Sequence, residues 1–137
     1  MPGTPTPTLG LTVPTVGGDV NAWGNELNTD LAIIDNLGDF PVLIVAASGV
    51  LVFSNVPETI ILCYGGAAGI ALNLPIGIPA GITRSFVLKK MDATPGVVLI
   101  NALVGTIDNA ASWGLFNQFQ YVRVLWDGTN WDVIGNN

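Results

Sequence analysis

The run YVRVLWDGTNWDVIG, residues 121–135, carries the clearest structural signal in the chain. Two short segments rich in β-branched and aromatic residues flank Asp127-Gly128, and Asp-Gly is a pair favoured in the tight turns of β-hairpins. Trp126 and Trp131 stand on either side of this turn. The run therefore predicts two antiparallel strands joined by a hairpin.

The same alternation of short apolar runs and turn residues extends upstream as far as Phe40, and it is typical of an all-β protein. We predict an all-β domain over residues 40–137, a jelly-roll-like sandwich or barrel of about eight strands. Ser48-Gly49 predicts a further hairpin turn. The candidate strands are PVLIVAA (41–47), VLVFS (50–54), TIILCY (59–64), IALNLP (70–75), TRSFVLKK (83–90), GVVLIN (96–101), YVRVLWD (121–127) and WDVIG (131–135).

Residues 65–69, GGAAG, indicate a loop or a close approach of two backbones rather than a phosphate-binding loop. A P-loop needs a Lys followed by Ser or Thr at a fixed spacing, and this segment has neither. The sequence therefore predicts no nucleotide site.

Residues 1–39 differ from the rest, and we predict that they form an N-terminal attachment arm followed by one short helix. Four prolines in the first 14 residues disfavour helix and favour extended backbone. The arm nevertheless carries apolar side chains, which a purely solvated linker would not need. We expect it to contact a partner through Leu9, Leu11, Val13, Pro14 and Val16.

An amphipathic helix is predicted after Asp19, whose carboxylate suits an N-cap. Apolar residues follow at spacings of three and four, and Gly38 stands where a left-handed C-terminal residue belongs. Gly24 and several Asn residues lower the helix propensity, so packing against other chain segments or subunits must stabilise it. The apolar face comprises Val20, Trp23, Leu27, Leu31 and Ile34, of which Trp23 and Leu27 join the predicted partner-binding set.

Composition points to assembly. Hydrophobic residues make up 50% of the 137 residues and charged residues only 10%, against about 25% charged in a typical soluble domain. Apolar surface that charge does not cover is usually covered by partners. We therefore expect a homo-oligomer, a dimer or a trimer.

Charge and patterning also exclude classes of partner. The formal net charge of -6 disfavours nucleic acid, because phosphate binding depends on Lys and Arg. We predict no membrane span, since the apolar runs end well before the roughly 20 residues that a spanning helix needs. The N-terminus has no signal-peptide pattern, so we expect synthesis in the cytoplasm.

The chain is poor in catalytic side chains, and we predict that it is not an enzyme. It has no His and one cysteine, Cys63, which we interpret as a small buried hydrophobe. We predict no catalytic, cofactor-binding or metal-binding residues and no cofactor. An acid pair of Asp108 with Asp127 or Asp132 is the enzymatic alternative, although Asp in turns commonly binds its own backbone. The aromatic side chains of residues 113–131 are interpreted mainly as core, with sugar stacking as the alternative.

Residues 8–38, TLGLTVPTVGGDVNAWGNELNTDLAIIDNLG, resemble the N-terminal segment of many structural proteins of tailed bacteriophages. The resemblance implies an extended arm that leads into a short helix and seats the protein on a virion. The matching residues are Leu9-Gly10-Leu11, Pro14, Gly17-Gly18-Asp19, Trp23-Gly24, Leu27-Asn28 and Ile34-Asp35.

Residues 84–135 are similar to a β-module of phage fibres, head fibres and decoration proteins. The matching residues are Phe86 to Lys89, Gly105-Thr106-Ile107-Asp108, Ala110-Ala111 and Asp127-Gly128-Thr129-Asn130-Trp131. The family's polar Lys-Asp strand end is altered here to Lys89-Lys90-Met91-Asp92, and residues 40–81 carry no part of either resemblance.

The two resemblances imply a virion protein made in the cytoplasm of a host bacterium. We expect a capsid decoration or cement protein that clamps neighbouring major-capsid subunits, because the chain adds no shaft or tip domain to its one β-module. The alternative is a short tail-fibre, head-fibre or spike component that binds a host surface receptor through exposed Trp113 or Phe116. A polysaccharide-degrading enzyme is a third hypothesis.

Overall fold

The computed structural model describes residues 4–5, 12–13, 23–36, 41–52 and 56–137. The chain divides into two compact units, Met1–Asp39 and Phe40–Asn137. The described elements of the first unit are β1 (Thr4–Pro5), β2 (Thr12–Val13) and the helix α1 (Trp23–Asn36).

In the first unit, β1 and β2 pair antiparallel, with Thr4 opposite Val13 and Pro5 opposite Thr12. The backbone of the predicted arm is thus extended at both places, and the two extended segments run antiparallel. The predicted helix is present as α1, whose 14 residues contain the predicted apolar positions from Trp23 to Ile34. Asp19 and Gly38, its predicted first and last capping residues, lie outside the described residues. No helix in the described ranges has the length and apolar character needed to cross a membrane.

Among the described residues of the second unit, nine strands form a five-stranded and a four-stranded sheet, in the orders β11-β10-β7-β5-β3 and β4-β6-β8-β9. The strands are β3 (Val42–Val45), β4 (Gly49–Val50), β5 (Glu58–Cys63), β6 (Ile70–Asn73), β7 (Ser85–Lys90), β8 (Val98–Asn101), β9 (Ser112–Leu115), β10 (Tyr121–Trp126) and β11 (Trp131–Asn136).

From β3 to β8 the chain winds between the two sheets. Odd-numbered strands lie in the larger sheet and even-numbered strands in the smaller one. Neighbours within each set are parallel, because the chain returns to a sheet only after passing through the other. The antiparallel strands β9, β10 and β11 complete the two sheets.

The core lies between the sheets. Along β5, every second residue is buried, which leaves Thr59, Ile61 and Cys63 inside. Trp131 is fully buried, and its ring centroid lies 5.8 Å from that of Phe86 and 5.1 Å from that of Trp126. Such tilted aromatic pairs add stability beyond the area that they bury.

The hairpin at Asp127-Gly128 is confirmed, and Trp126 and Trp131 are the paired residues of β10 and β11 nearest the turn. The Asp127 carboxylate accepts the N–H groups of Asn130 at 2.6 Å and Thr129 at 2.7 Å. These two hydrogen bonds, led by that of Asn130, hold the pKa of Asp127 below its usual value. Gly128 has φ +106°, which suits glycine at this turn.

The prediction of an all-β sandwich of about eight strands is confirmed. Neither sheet closes into a barrel, and the parallel pairs differ from the antiparallel Greek-key order of a jelly roll. The hairpin predicted at Ser48-Gly49 is wrong, because β3 and β4 belong to different sheets and this turn carries the chain between them. β9 was not predicted, since Gly114 interrupts its apolar pattern.

Candidate functional site

An apolar stripe runs along α1. Leu27, Leu31 and Ile34, which we call the helix stripe, are four and three residues apart and therefore share one face of the helix. Their side chains are 48%, 49% and 48% exposed. Three neighbouring aliphatic side chains at a helix surface are an uncovered hydrophobic contact surface.

The structure describes only part of the predicted partner-binding set. Val13 is in β2 and Trp23 begins α1, so both belong to the elements of the first unit. Leu27 is one of the three residues of the helix stripe. The others, Leu9, Leu11, Pro14 and Val16, lie outside the described residues.

A second candidate contact surface is the outer edge of β3. The C=O of Pro41 accepts the N–H of Ile60, and the C=O of Val45 accepts the N–H of Tyr64, both at 2.9 Å. Backbone groups alternate in direction along a strand, so the N–H and C=O of Ile44 point away from β5. Among the described strands, none pairs with this edge.

The β3 edge is apolar. Residues 42–52 contain no charged residue and no proline, although natural proteins commonly protect free edges with one or the other. Ile44 is 72% exposed. An unprotected apolar edge of this kind is a template for pairing with another strand. The exposed large hydrophobic residues of this segment are Val42, Leu43, Ile44, Val50 and Val52.

A buried ion pair fixes the loops beside β5 and β7. The fully buried Lys90 ammonium contacts the Asp92 carboxylate, which also accepts the Gly66 N–H at 2.7 Å and the Thr94 hydroxyl at 2.8 Å. The Lys90 hydrogen bond is the main reason that the pKa of Asp92 lies well below its usual range. A Cβ on Gly96 would lie 2.1 Å from the Gly66 oxygen, which confirms the predicted close backbone approach.

Four amide side chains line a cleft of about 260 Å³, which we call the amide cleft. Gln120 Oε1 accepts the N–H groups of Phe116 at 2.7 Å and Asn117 at 3.2 Å. Asn137 Oδ1 accepts the Tyr121 N–H at 2.8 Å. The oxygen ends of the Gln120 and Asn137 amides are therefore fixed by backbone N–H groups. The lining residues are Asn117, Gln118, Gln120 and Asn137.

The loop beside this cleft has a strained backbone. Phe119 has φ +65°, a left-handed conformation that costs a residue with a side chain about 1–2 kcal/mol. Its N–H donates to the Lys90 oxygen at 2.7 Å, and the Lys89 ammonium lies 5.4 Å from its ring centroid. The ring is nevertheless 51% exposed. Strain held in this way is common at functional sites.

The residues considered for enzymatic chemistry have structural contacts. Asp108 Oδ1 accepts the Val133 N–H at 2.9 Å, and the Asp127 carboxylate holds its own turn. Burial raises the pKa of the Cys63 thiol to about 12, which keeps it protonated at neutral pH. In the part of the chain that the structure describes, no three His, Cys, Asp or Glu residues are placed to hold a metal ion.

The aromatic residues divide between core and surface. Trp126 and Trp131 are buried, and Trp113 is partly buried against the core. Phe116 and Phe119 are exposed, so the core interpretation is wrong for these two. Trp113 is correspondingly less accessible than the receptor-binding alternative assumes. The amide cleft was missed, although the segment FNQFQ (116–120) interrupts the apolar alternation with amides.

Comparison with known proteins adds no relative. No protein-family model matches the chain, and a search of the curated proteins finds no match. The likeness to phage virion proteins therefore stays a prediction from the sequence, and the function is argued from the surfaces described above.

Proposed function

We propose that this chain is a structural protein of a phage virion, a decoration or cement protein that clamps neighbouring major-capsid subunits and stabilises the head. The observation that carries the proposal is the uncovered helix stripe of Leu27, Leu31 and Ile34. It lies within the segment whose sequence resembles a phage attachment arm.

The helix needs packing beyond its own residues for stability, and contact with a capsid subunit would add to its contact with β2. α1 has 14 residues, and an isolated helix of that length is marginal in water even with good helix formers. Its sequence includes Gly24, Asn25 and Asn28, which are poor helix formers. Burial of the helix stripe against a capsid subunit would supply the missing stabilisation.

The β3 edge supports a second part of the proposal, which is association between copies of the β-unit. Ile44 offers an outward-facing N–H and C=O within an apolar, uncharged segment. Two such edges related by a twofold axis can pair antiparallel, since a twofold interface is self-complementary. One copy would then contact the capsid through its first unit and another copy through β3.

Particles that lack this protein test the cement role. They should lose resistance to heat and to low ionic strength, and added purified protein should restore it. A variant without residues 1–18 should fail to restore it and should not bind, while its circular dichroism retains the β signal, because the core cluster of the β-unit lies between Leu51 and Trp131. Unchanged resistance of the deficient particles would contradict the cement role.

A further inference from the structure

We propose that the amide cleft binds a neutral saccharide. The inference is independent of the proposed cement role, because the cleft lies in the β-unit and involves neither the helix stripe nor the β3 edge. Its volume of about 260 Å³ is slightly below the ~300–1,000 Å³ of pockets that hold drug-sized ligands. It suits a ligand of one or two sugar rings.

The cleft presents hydrogen-bonding groups whose direction is fixed. The Oε1 atom of Gln120 and the Oδ1 atom of Asn137 are engaged by backbone N–H groups, so their NH₂ groups are left as donors. Gln118 is oriented the other way, since its Nε2 donates to the Met91 oxygen at 3.1 Å and leaves Oε1 as an acceptor. Sugar hydroxyls both donate and accept, and they match such a mixed array.

The loop that carries these amides also exposes two aromatic rings, which lie outside the four residues that line the cleft. Phe119 lies between Gln118 and Gln120 in sequence, and its ring is half exposed. Phe116, whose N–H binds Gln120, is 61% exposed. A phenyl face packs against the C–H groups of a sugar ring, while neighbouring polar groups bind the hydroxyls. The strained φ of Phe119 indicates that the fold maintains this ring at the surface despite a conformational cost.

The charges favour a neutral ligand. The lining side chains are all uncharged amides, and the whole chain has four basic residues against ten acidic ones. A phosphate or sulfate group usually requires Arg, Lys or a row of backbone N–H groups. Of the basic residues, Lys89 lies beside the Phe119 ring, where its contact is with the aromatic face.

Nitrogen-edited NMR of the full-length protein tests the proposal directly. Glucose, galactose, mannose, rhamnose and N-acetylglucosamine are titrated in turn, and the side-chain NH₂ signals of Gln120 and Asn137 are followed. At least one sugar should shift both signals in a saturable manner. No shift with any of these sugars would overturn the proposal, as would equal shifts produced by a neutral peptide.

Two substitutions remove donors without removing the contacts that hold the loop. Gln120→Glu and Asn137→Asp each keep the oxygen that accepts backbone N–H groups and lose the NH₂ group. Each should weaken binding of the responding sugar about tenfold, the usual effect of one lost hydrogen bond. Asn109→Asp adds the same charge at an exposed residue outside the cleft and should leave affinity unchanged.

Phe119→Gly removes the phenyl ring and keeps a residue that suits the positive φ at this position. Glycine adopts a positive φ without strain, which offsets the packing lost with the half-exposed ring. This variant should therefore unfold within about 1 kcal/mol of the wild type and should bind more weakly a sugar that extends from the cleft to the ring. Undiminished affinity in Gln120→Glu, Asn137→Asp and Phe119→Gly would show that sugar binds elsewhere. That result would refute the proposed site without affecting the cement role.

Discussion

Replacing the helix stripe with glutamine should prevent binding to the particle without unfolding the β-unit. Leu27→Gln, Leu31→Gln and Ile34→Gln are combined in one variant, because glutamine is a good helix former and the helix itself is then preserved. Full burial of a Leu or Ile side chain contributes about 1.5–3 kcal/mol. Each of the three is about half exposed, and this exposed half is the surface that a partner can bury.

The sum over the three side chains is about 2.3–4.5 kcal/mol of binding free energy, since each contributes about half of the range for full burial. This corresponds to roughly 50- to 2,000-fold weaker binding. The assay is sedimentation of purified protein with particles that lack it, over a range of protein concentrations. The matched control is Asn28→Gln, an exposed residue of the same helix, which should bind within about twofold of the wild type.

Binding of the triple variant within twofold of the wild type would refute the reasoning. A second result would also contradict it: a loss of more than about 4.5 kcal/mol in the unfolding free energy of the isolated protein. A loss of that size exceeds what the already buried halves of the three side chains contribute. It would mean that the stripe is covered within the free chain rather than by a partner.

Three further predictions concern the β-unit. Trp131→Ala empties a fully buried site and should lower the unfolding free energy by about 3–5 kcal/mol in urea denaturation, whereas Ile134→Ala, on the same strand but half exposed, should cost about 1 kcal/mol or less; equal losses would contradict the assigned core. The lowered pKa of Asp92 means that its stabilisation is present above the unfolded-state value of about 3.9 and is lost as pH falls toward the folded-state value, so thermal stability should decline below about pH 4. Asp92→Asn should be less stable at neutral pH and should flatten that decline, and an unchanged acid profile would refute the assignment. Ile44→Lys should dissociate β-unit oligomers in light scattering with little change in stability, while Ile134→Lys, at the opposite edge of the sheet, should not; the reverse outcome would place the contact at β11.

The elements that sequence predicted well are those whose local pattern determines burial. The period-two alternation of β5 and β10 fixed which side chains face inward, and the Asp127-Gly128 turn is made by contacts within four residues of chain. Strand connectivity depends on contacts between distant segments, such as Ile60 with Val87. Ser48-Gly49 therefore resembled a hairpin turn, because turn chemistry alone does not specify which sheet the next strand joins.

The candidate sites show the same division. The helix stripe was predictable, since a spacing of three and four places apolar residues on one helix face. The amide cleft was not, because it joins a loop near residue 118 to Asn137 through a hydrogen bond to Tyr121. Phe119 was misinterpreted as core, since it lies with a left-handed φ in the turn before β10 rather than in the alternating strand itself.

The copy number of this protein per virion tests the central claim most directly. Quantitative mass spectrometry of purified particles, with the major capsid protein as the internal reference, measures it. A cement protein that clamps neighbouring capsid subunits should be present in numbers comparable with those subunits. A copy number that is a small fraction of the capsid protein's would contradict the cement role and would place the protein at the tail or at a single vertex.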